Sequence, residues 1–306
     1  MHLIPETIVI NIETYEYGYL TPTSVERDLS WGKADQFLQF FKEDLFPFID
    51  STYRTVPYRL LYSGAIGGVL PVYAILAKPD IFNAGIAAIP WIIYDNENRY
   101  MINSTESFLK NNKYKNFLYI VMDNEFELLQ DLETFVNVLR RFPQQGLEWE
   151  YHFWPEEDHY STGPRSLHSG LRSLYKEWNT IPVEIAYQGL ERIIRHENYL
   201  NEKFGYEIGI SLNALWWVGQ EHLKNKQYDK AIAIFNYRVE KHPNDAFIYV
   251  DLGIAYERAN QLESARKTYE KAYDIEAASA DPNIRRIKRI ENFLGNINKR
   301  INETKN

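Results

Sequence analysis

A fixed spacing of 34 residues in the C-terminal half constrains this chain more than any other feature. Aligned on itself at that offset, the sequence superimposes matching residues: Gly219 with Gly253, Ala231 with Ala265, and Phe235 with Tyr269. No strand-like run interrupts residues 220–276, so each repeat is expected to be one helical hairpin whose helices approach closely at the small residues. Two hairpins bury little apolar surface alone, and we therefore expect a connecting helix over Val183 to Phe204 and a capping helix over Ile284 to Ile301.

The first half alternates short apolar runs with helical periodicity, which is typical of a doubly wound α/β sheet. Strands are predicted at Thr7–Ile12, Tyr58–Tyr62, Phe82–Ile89, Phe117–Met122 and Glu148–Phe153. Helices are predicted from Ala34 to about Asp50, over Val69–Ala77, from Leu128 to Leu139 and from Leu167 to Trp178. The organisation expected is an α/β domain over residues 1–180, a linker helix over 181–210, and repeats with a cap over 211–306.

Composition excludes several classes of function. Among 306 residues, 34 Lys and Arg stand against 42 Asp and Glu, a net charge of −8, which argues against nucleic acid as a partner. The absence of cysteine excludes disulfides and thiolate metal sites. No run approaches the ~18 to 20 apolar residues of a membrane span, and the start of the chain lacks a signal-peptide pattern, so a soluble, cytoplasmic protein is expected from the sequence as written.

Metal binding is also not expected. The acidic run Glu156-Glu157-Asp158 has no pair of histidines at ligand spacing, because His152 and His159 are seven residues apart. No sequence pattern indicates a cofactor: a dinucleotide-binding loop needs G-x-G-x-x-G, which the glycine-rich stretch of this chain does not supply.

That glycine-rich stretch is where chemistry is expected. It reads Ser63-Gly64-Ala65-Ile66-Gly67-Gly68 between a predicted strand and a predicted helix, the context of the G-x-S-x-G nucleophile elbow. Alignment of the closing glycines puts Ala65 at the nucleophile position, and alanine has no nucleophilic atom. Ser63 lies two residues earlier on the strand, about 6 to 7 Å away along it, which argues against Ser63 as a substitute nucleophile.

The segments around this turn resemble the esterase D-like family of α/β-hydrolases, which includes ferric-siderophore (enterochelin-type) esterases. The resemblance runs through most of residues 3–178. It rests on Ile4-Pro5-Glu6, Leu20-Thr21-Pro22-Thr23, Lys78-Pro79-Asp80-Ile81-Phe82-Asn83, Pro90 with Asp95 and Asn96, and Glu156-Glu157-Asp158-His159-Tyr160-Ser161. Some members of the family carry tetratricopeptide repeats after the hydrolase domain, and 34 residues is the tetratricopeptide period. An α/β-hydrolase sheet followed by an all-α tetratricopeptide domain is therefore expected.

The resemblance implies ester hydrolysis by a serine, a histidine base and an orienting carboxylate. Carried over residue by residue, it makes His159 the base and the Ile66 backbone N–H an oxyanion donor. The acid should follow the Phe117–Met122 strand, where Asp123, Glu125 and Glu127 are candidates. We predict Glu125, with Asp123 as the alternative; some relatives work largely with a serine and histidine pair.

The departures from the family pattern gather at the site. Besides Ala65 and Ser63, the chain has Glu16 and Gly18 in the Tyr15 to Tyr19 stretch, where many relatives have arginines that favour anionic or catecholate substrates. The sequence also begins at what should be the third strand, so the opening strands of the sheet are expected to be missing and the native targeting is open.

Three hypotheses follow. Several simultaneous departures favour an esterase-like pseudoenzyme that binds a small ester or siderophore-like ligand. The alternatives are an active serine esterase for a siderophore or small acyl ester, with serine at position 65 in the native form, and a scaffold in which the tetratricopeptide repeats bind a protein partner.

Overall fold

The computed structural model describes residues 4–14, 16–22, 32–95, 99–144 and 146–305. Tyr15, Thr23 and Asn96, which the sequence comparison used, lie outside these ranges. The described chain comprises two compact units, one of Glu6–Tyr175 with Lys203–Tyr206 and one formed mainly by Lys176–Glu202 and Glu207–Asn306. None of the helices in the described ranges is both long and apolar enough to cross a lipid bilayer.

A parallel sheet of four strands forms the centre of the first unit. The strands are β1 (Leu60–Gly64), β2 (Ala84–Ala88), β3 (Asn116–Met122) and β4 (Leu147–Phe153), in the spatial order β1-β2-β3-β4. The helices are α1 (Ala34–Phe40), which continues through a π turn (Phe41–Leu45) into α2 (Phe46–Thr52), then α3 (Val69–Ala77), α4 (Tyr100–Asn111), α5 (Phe126–Arg141) and α6 (His159–Leu174).

Helices cover both faces of this sheet. Gly85 of β2 faces α3, since a Cβ added there would lie 2.9 Å from Cγ1 of Ile75. Its neighbour Ile86 faces α6, where a Cβ added to Gly170 would lie 2.7 Å from Cδ1 of Ile86. Consecutive residues of a strand point to opposite faces, so α3 and α6 lie on opposite sides of the sheet. The predicted doubly wound α/β fold is confirmed.

The predicted strand at Thr7–Ile12 is wrong. This segment has no regular secondary structure, and Val9 is 84% exposed. Its β-branched residues favour a strand, but a strand also needs a neighbouring backbone to pair with. In the described part of the chain, the sheet order β1-β2-β3-β4 does not include Thr7–Ile12, so this segment is not one of its strands.

Two helix predictions also need correction. The connecting helix is two helices, α8 (Val183–Ala186) and α9 (Leu190–Phe204), separated at Gly189, whose φ of +100° ends the first turn. The helix predicted from Leu167 begins earlier, at His159, because Asp158 caps it; it ends at Leu174, before the short α7 (Lys176–Asn179).

The second unit contains the helical hairpins that the 34-residue spacing predicts. Its helices are α10 (Leu212–Lys224), α11 (Tyr228–Lys241), α12 (Ala246–Arg258), α13 (Leu262–Ala277) and the capping α14 (Ile284–Lys305). A Cβ at Gly219 would lie 2.5 Å from the ring of Phe235, and one at Gly253 would collide with the ring of Tyr269. The repeated glycines are therefore the points where each hairpin closes on an aromatic ring.

A buried ion pair joins the two hairpins. Arg238 of α11 donates from Nη1 to Oδ2 of Asp251 in α12 at 2.7 Å, and Nε1 of Trp216 in α10 donates to Oδ1 of the same carboxylate at 3.2 Å. Both charged side chains are buried. Burial raises the pKa of Asp251, and the neighbouring guanidinium of Arg238 opposes that rise.

Candidate active site

The turn that follows β1 has the backbone of a nucleophile elbow. Ala65 begins a short 3-10 turn (Ala65–Gly68) that leads into α3, and its φ is +54°. This left-handed conformation costs a residue other than glycine roughly 1 to 2 kcal/mol. A strained strand-to-helix turn of this kind lifts the side chain of a nucleophile above the edge of the sheet. The conformation is thus present at a residue without a nucleophilic atom.

Close packing holds this turn in place. The backbone N–H of Trp91 donates to the carbonyl of Ala65 at 3.3 Å. At Gly68 a Cβ would lie 2.9 Å from both the carbonyl oxygen of Ala88 and Cα of Pro90, so only glycine fits there. The loop after β2 therefore supports the turn after β1, and Ile66, the predicted oxyanion donor, lies between these fixed points.

Ser63 faces away from the other candidate residues. Its Oγ packs against Gly67, on the face of the sheet that α3 covers. The preceding residue, Tyr62, points to the opposite face, where its hydroxyl donates to the carbonyl of Gly163 in α6 at 2.9 Å. Because α6 begins at His159, Ser63 and the helix that carries the predicted base lie on opposite faces. This geometry argues against Ser63 as a nucleophile.

His159 and Glu125 are in direct contact, with Nδ1 of the histidine 2.5 Å from Oε1 of the glutamate. His159 is the first residue of α6, and Asp158 accepts hydrogen bonds from the backbone N–H groups of Tyr160 and Ser161. Glu125 lies between β3 and α5. A carboxylate at one ring nitrogen orients the imidazole and stabilises its protonated form, so this pair has the geometry of a base and its orienting acid.

Asp123 supports this pair from below. It is fully buried, and its Oδ1 accepts the backbone N–H of Glu125 at 3.1 Å while the hydroxyl of Thr162 in α6 lies 3.4 Å from Oδ2. Burial raises the pKa of Asp123. The contact with His159 thus belongs to Glu125, and Asp123 fixes the loop that presents it. Glu127, the third candidate, lies exposed in the first turn of α5.

Asp123, Glu125 and His159 also form a set of metal-donor atoms that the sequence analysis did not predict. Ligand atoms of Asp123, Glu125 and His159 all lie within 4.8 Å of one another. Two carboxylate oxygens and an imidazole nitrogen are donors that divalent cations accept. The sequence analysis considered only the acidic residues 156–158, next to His159. The carboxylates near the histidine instead follow β3, more than 30 positions earlier in the chain.

All the predicted site residues gather at one edge of the sheet. Ala65 and Ile66 follow β1, Asp123 and Glu125 follow β3, and His159 begins the helix after β4. The carboxyl ends of parallel strands form the usual site in open α/β sheets. With roughly 4.8 Å between neighbouring strands, the ends of β1 and β3 are about 10 Å apart, a gap that a histidine and a ligand can span.

Comparisons with known proteins fit both parts of the chain. The tetratricopeptide repeat family TPR_12 matches residues 212–276. The ferri-bacillibactin esterase BesA of Bacillus subtilis (strain 168) is 27% identical over an alignment of 157 positions that covers 46% of this chain and 51% of that protein. The chain thus spans about half the length of this curated relative.

Two solved structures share the fold. The IroE-like serine hydrolase of Shewanella oneidensis is 20% identical, with a TM-score of 0.61 over 74% of this chain and 77% of its own. An uncharacterised protein of Capnocytophaga ochracea DSM 7271 is 18% identical, with a TM-score of 0.59 over 94% of this chain and 81% of its own. The chain is therefore similar to the siderophore esterases of the α/β-hydrolase fold and carries C-terminal tetratricopeptide repeats, as its sequence predicts.

Proposed function

We propose that the α/β unit binds a carboxylic ester at the turn around Ala65 and does not hydrolyse it at the rate of an esterase. The observation that carries this proposal is the combination of an elbow at Ala65 with φ +54° and an assembled Glu125–His159 pair. The elbow backbone and the histidine with its carboxylate support an esterase-like site, and Ala65 has no nucleophilic atom. The similarity to an esterase of ferri-bacillibactin supports a siderophore-like or small acyl ester as the ligand.

Each residue retains a role in binding. The ester carbonyl would accept a hydrogen bond from the backbone N–H of Ile66, as the oxyanion of a tetrahedral intermediate does in a serine esterase. The methyl group of Ala65 would lie against the carbonyl carbon where a serine would attack, so no acyl-enzyme forms. His159 can still activate a water molecule, and removing one member of such a triad leaves a residual catalysis of ~10³ to 10⁴-fold over water.

Substitution of Ala65 by serine tests the proposal. We expect Ala65→Ser to raise the turnover of p-nitrophenyl acetate by ~10³-fold or more over the unaltered chain, because the base and the oxyanion donor are then supplied with a nucleophile. The gain should disappear when His159→Asn is added to Ala65→Ser, and should persist when Ser63→Ala is added. Circular dichroism confirms that all four proteins are folded.

Two outcomes contradict the proposal. Equal and rapid turnover by the unaltered chain and Ala65→Ser means that another group is the nucleophile. Loss of that turnover in Ser63→Ala would identify the group as Ser63. Folded proteins that neither hydrolyse nor bind the ester exclude the site as an ester site. In that case the tetratricopeptide repeats, for which a protein partner stays a prediction, are the functional part of the molecule.

A further inference from the structure

The loops after β3 and β4 have an unusual charge. Residues 123–127 and 154–158 contain six carboxylates and neither lysine nor arginine: Asp123, Glu125, Glu127, Glu156, Glu157 and Asp158. Arg165 of α6 pairs with Glu156 at 2.7 Å and also with Glu157. In the described ranges no lysine or arginine pairs with the other four carboxylates. The edge of the sheet that holds the candidate site is therefore strongly negative.

Three cations of the first unit, Arg165, Lys33 and Arg99, are already paired with carboxylates. Arg165 is held by its two glutamates and stacks over the ring of Trp154, with 4.2 Å from its Cζ to the ring centroid. Lys33 pairs with Glu16 at 3.1 Å, and Arg99 pairs with Asp131. None of these three cations is therefore available to an anionic ligand, which would meet carboxylates at this edge.

The helix ends that could receive an anion are also occupied by the protein itself. Asp158 takes the backbone N–H groups of Tyr160 and Ser161 at the start of α6, and Asp123 takes that of Glu125 before α5. A helix N-terminus attracts anions through such N–H groups. Here carboxylates of the chain already satisfy them, so the two helices after β3 and β4 do not turn the site into an anion site.

Exposed aromatic rings surround the same edge. Tyr160 is 87% exposed and follows His159, Phe126 is 76% exposed and follows Glu125, and Trp91 is 38% exposed in the loop that bonds to Ala65. Tyr17 is 57% exposed in the turn Tyr17–Leu20, which packs against the elbow. Large exposed rings grouped in one place mark interaction surfaces. The negative face of a ring attracts a cation, and in the described ranges no Lys or Arg side chain lies over the rings of Trp91, Phe126 and Tyr160.

We propose that this edge of the sheet binds an alkylammonium group, with the rings of Phe126, Tyr160 and Trp91 around it and the carboxylates of the two loops supplying the counter-charge. Together with the ester binding proposed above, on which this extension rests, the inference narrows the ligand from the two alternatives to a small acyl ester with a cationic head group. The carbonyl lies at Ile66, and the ammonium lies toward the loops after β3 and β4.

Calorimetric titration of the unaltered full chain at low ionic strength tests this inference. The probes are acetylcholine and its neutral isostere 3,3-dimethylbutyl acetate, which differ in shape very little and in charge by one unit, and choline, which lacks the ester. We expect acetylcholine to bind about tenfold more tightly than the neutral isostere, since the negative face of an aromatic ring attracts a cation more strongly than a neutral group. The preference should weaken as salt is added.

Replacement of an aromatic residue by leucine keeps an apolar side chain but removes the ring. Such variants therefore test whether the rings cause the preference for a cation. Phe126→Leu and Tyr160→Leu together should abolish most of the tenfold preference and leave the affinity for the neutral isostere nearly unchanged. Trp217→Leu is the matched control, since Trp217 is an aromatic residue that is 56% exposed on α10 in the repeat unit. It should change neither affinity.

The outcomes distinguish this inference from the proposed function. Equal affinities for acetylcholine and the neutral isostere, or tighter binding of the anionic 4-acetoxybutanoate, overturn the inference even when Ala65→Ser hydrolyses p-nitrophenyl acetate. Choline binding that the double leucine variant loses supports it even when Ala65→Ser is inactive. Binding of Zn²⁺ that Glu125→Gln abolishes, without any binding of choline, would make the cluster a metal centre and overturn the inference.

Discussion

Two buried carboxylates, one in each unit, have very different surroundings. Asp251 in the repeats accepts hydrogen bonds from the guanidinium of Arg238 and the indole of Trp216. Asp123 at the end of β3 accepts from a backbone N–H and from the more distant hydroxyl of Thr162. Burial raises the pKa of both. A buried carboxylate that is paired with a cation, such as Asp251, belongs to the architecture of the fold, whereas a buried carboxylate without a cationic partner, such as Asp123, is typical of a functional site.

Removal of the compensating cation should have the largest effect. We expect Arg238→Met to lower the free energy of unfolding by about 3 to 5 kcal/mol, because it leaves Asp251 ionised and buried without a counter-charge. Urea denaturation followed by far-ultraviolet circular dichroism measures the loss. Adding Asp251→Leu to Arg238→Met should recover most of it; a double variant as unstable as the single one would show that packing, not charge, is the cause.

The uncompensated carboxylate should respond in the opposite sense. Asp123→Asn is expected to raise the free energy of unfolding at pH 7, because burial raises the pKa of Asp123 and so disfavours its ionised form in the folded protein. The folded protein binds the Asp123 proton more tightly than the unfolded chain, so the unaltered protein loses stability relative to the variant as the pH rises above roughly 4.

The measurement is urea denaturation of both proteins between pH 4 and pH 8. The difference in stability between them should be smallest at pH 4 and should grow with pH until the folded carboxyl is fully ionised. A difference that shrinks as the pH rises would mean that the ionised form of Asp123 is the stabilised one, and the comparison with Asp251 would fail.

The smallest effect concerns the backbone of the two regions. Ala65→Gly removes the strain of a φ of +54° and should stabilise the protein by about 0.5 to 1 kcal/mol, after the entropic cost of glycine in the unfolded chain. Ala233→Gly in the interior of α11 is the matched control and should destabilise by about 1 kcal/mol. Thermal unfolding of both resolves the sign; destabilisation by both would show that Ala65 is not strained.

The periodic and apolar parts of the molecule could be predicted from sequence. Gly219 and Gly253 stand 34 residues apart because each closes a hairpin on an aromatic ring, and a repeated packing constraint leaves a repeated residue. The four paired strands follow apolar runs because a parallel sheet is buried on both faces. Local patterns were sufficient where local residues determine the packing.

Features that depend on distant or unpatterned contacts could not be predicted in the same way. The strand expected at Thr7–Ile12 is not part of the sheet, because joining a sheet depends on distant backbone that no local pattern reveals. The helix break at Gly189 depends on the positive φ of that residue, which the spacing of apolar residues does not reveal. One of the hydrogen bonds by which Asp123 supports the Glu125–His159 contact involves Thr162, which lies far from Asp123 in the sequence. The roles of these residues stay predictions, although the geometry places Glu125, the acid predicted, against His159.

The strained turn at Ala65 also has a meaning in genetic terms. Every alanine codon becomes a serine codon by a change of its first base. The packing of Gly68 against Ala88 and Pro90 and the hydrogen bond from Trp91 hold the turn through its backbone, without use of the side chain at position 65. The mutational distance between the proposed ester-binding site and a site with a serine nucleophile is therefore a single base.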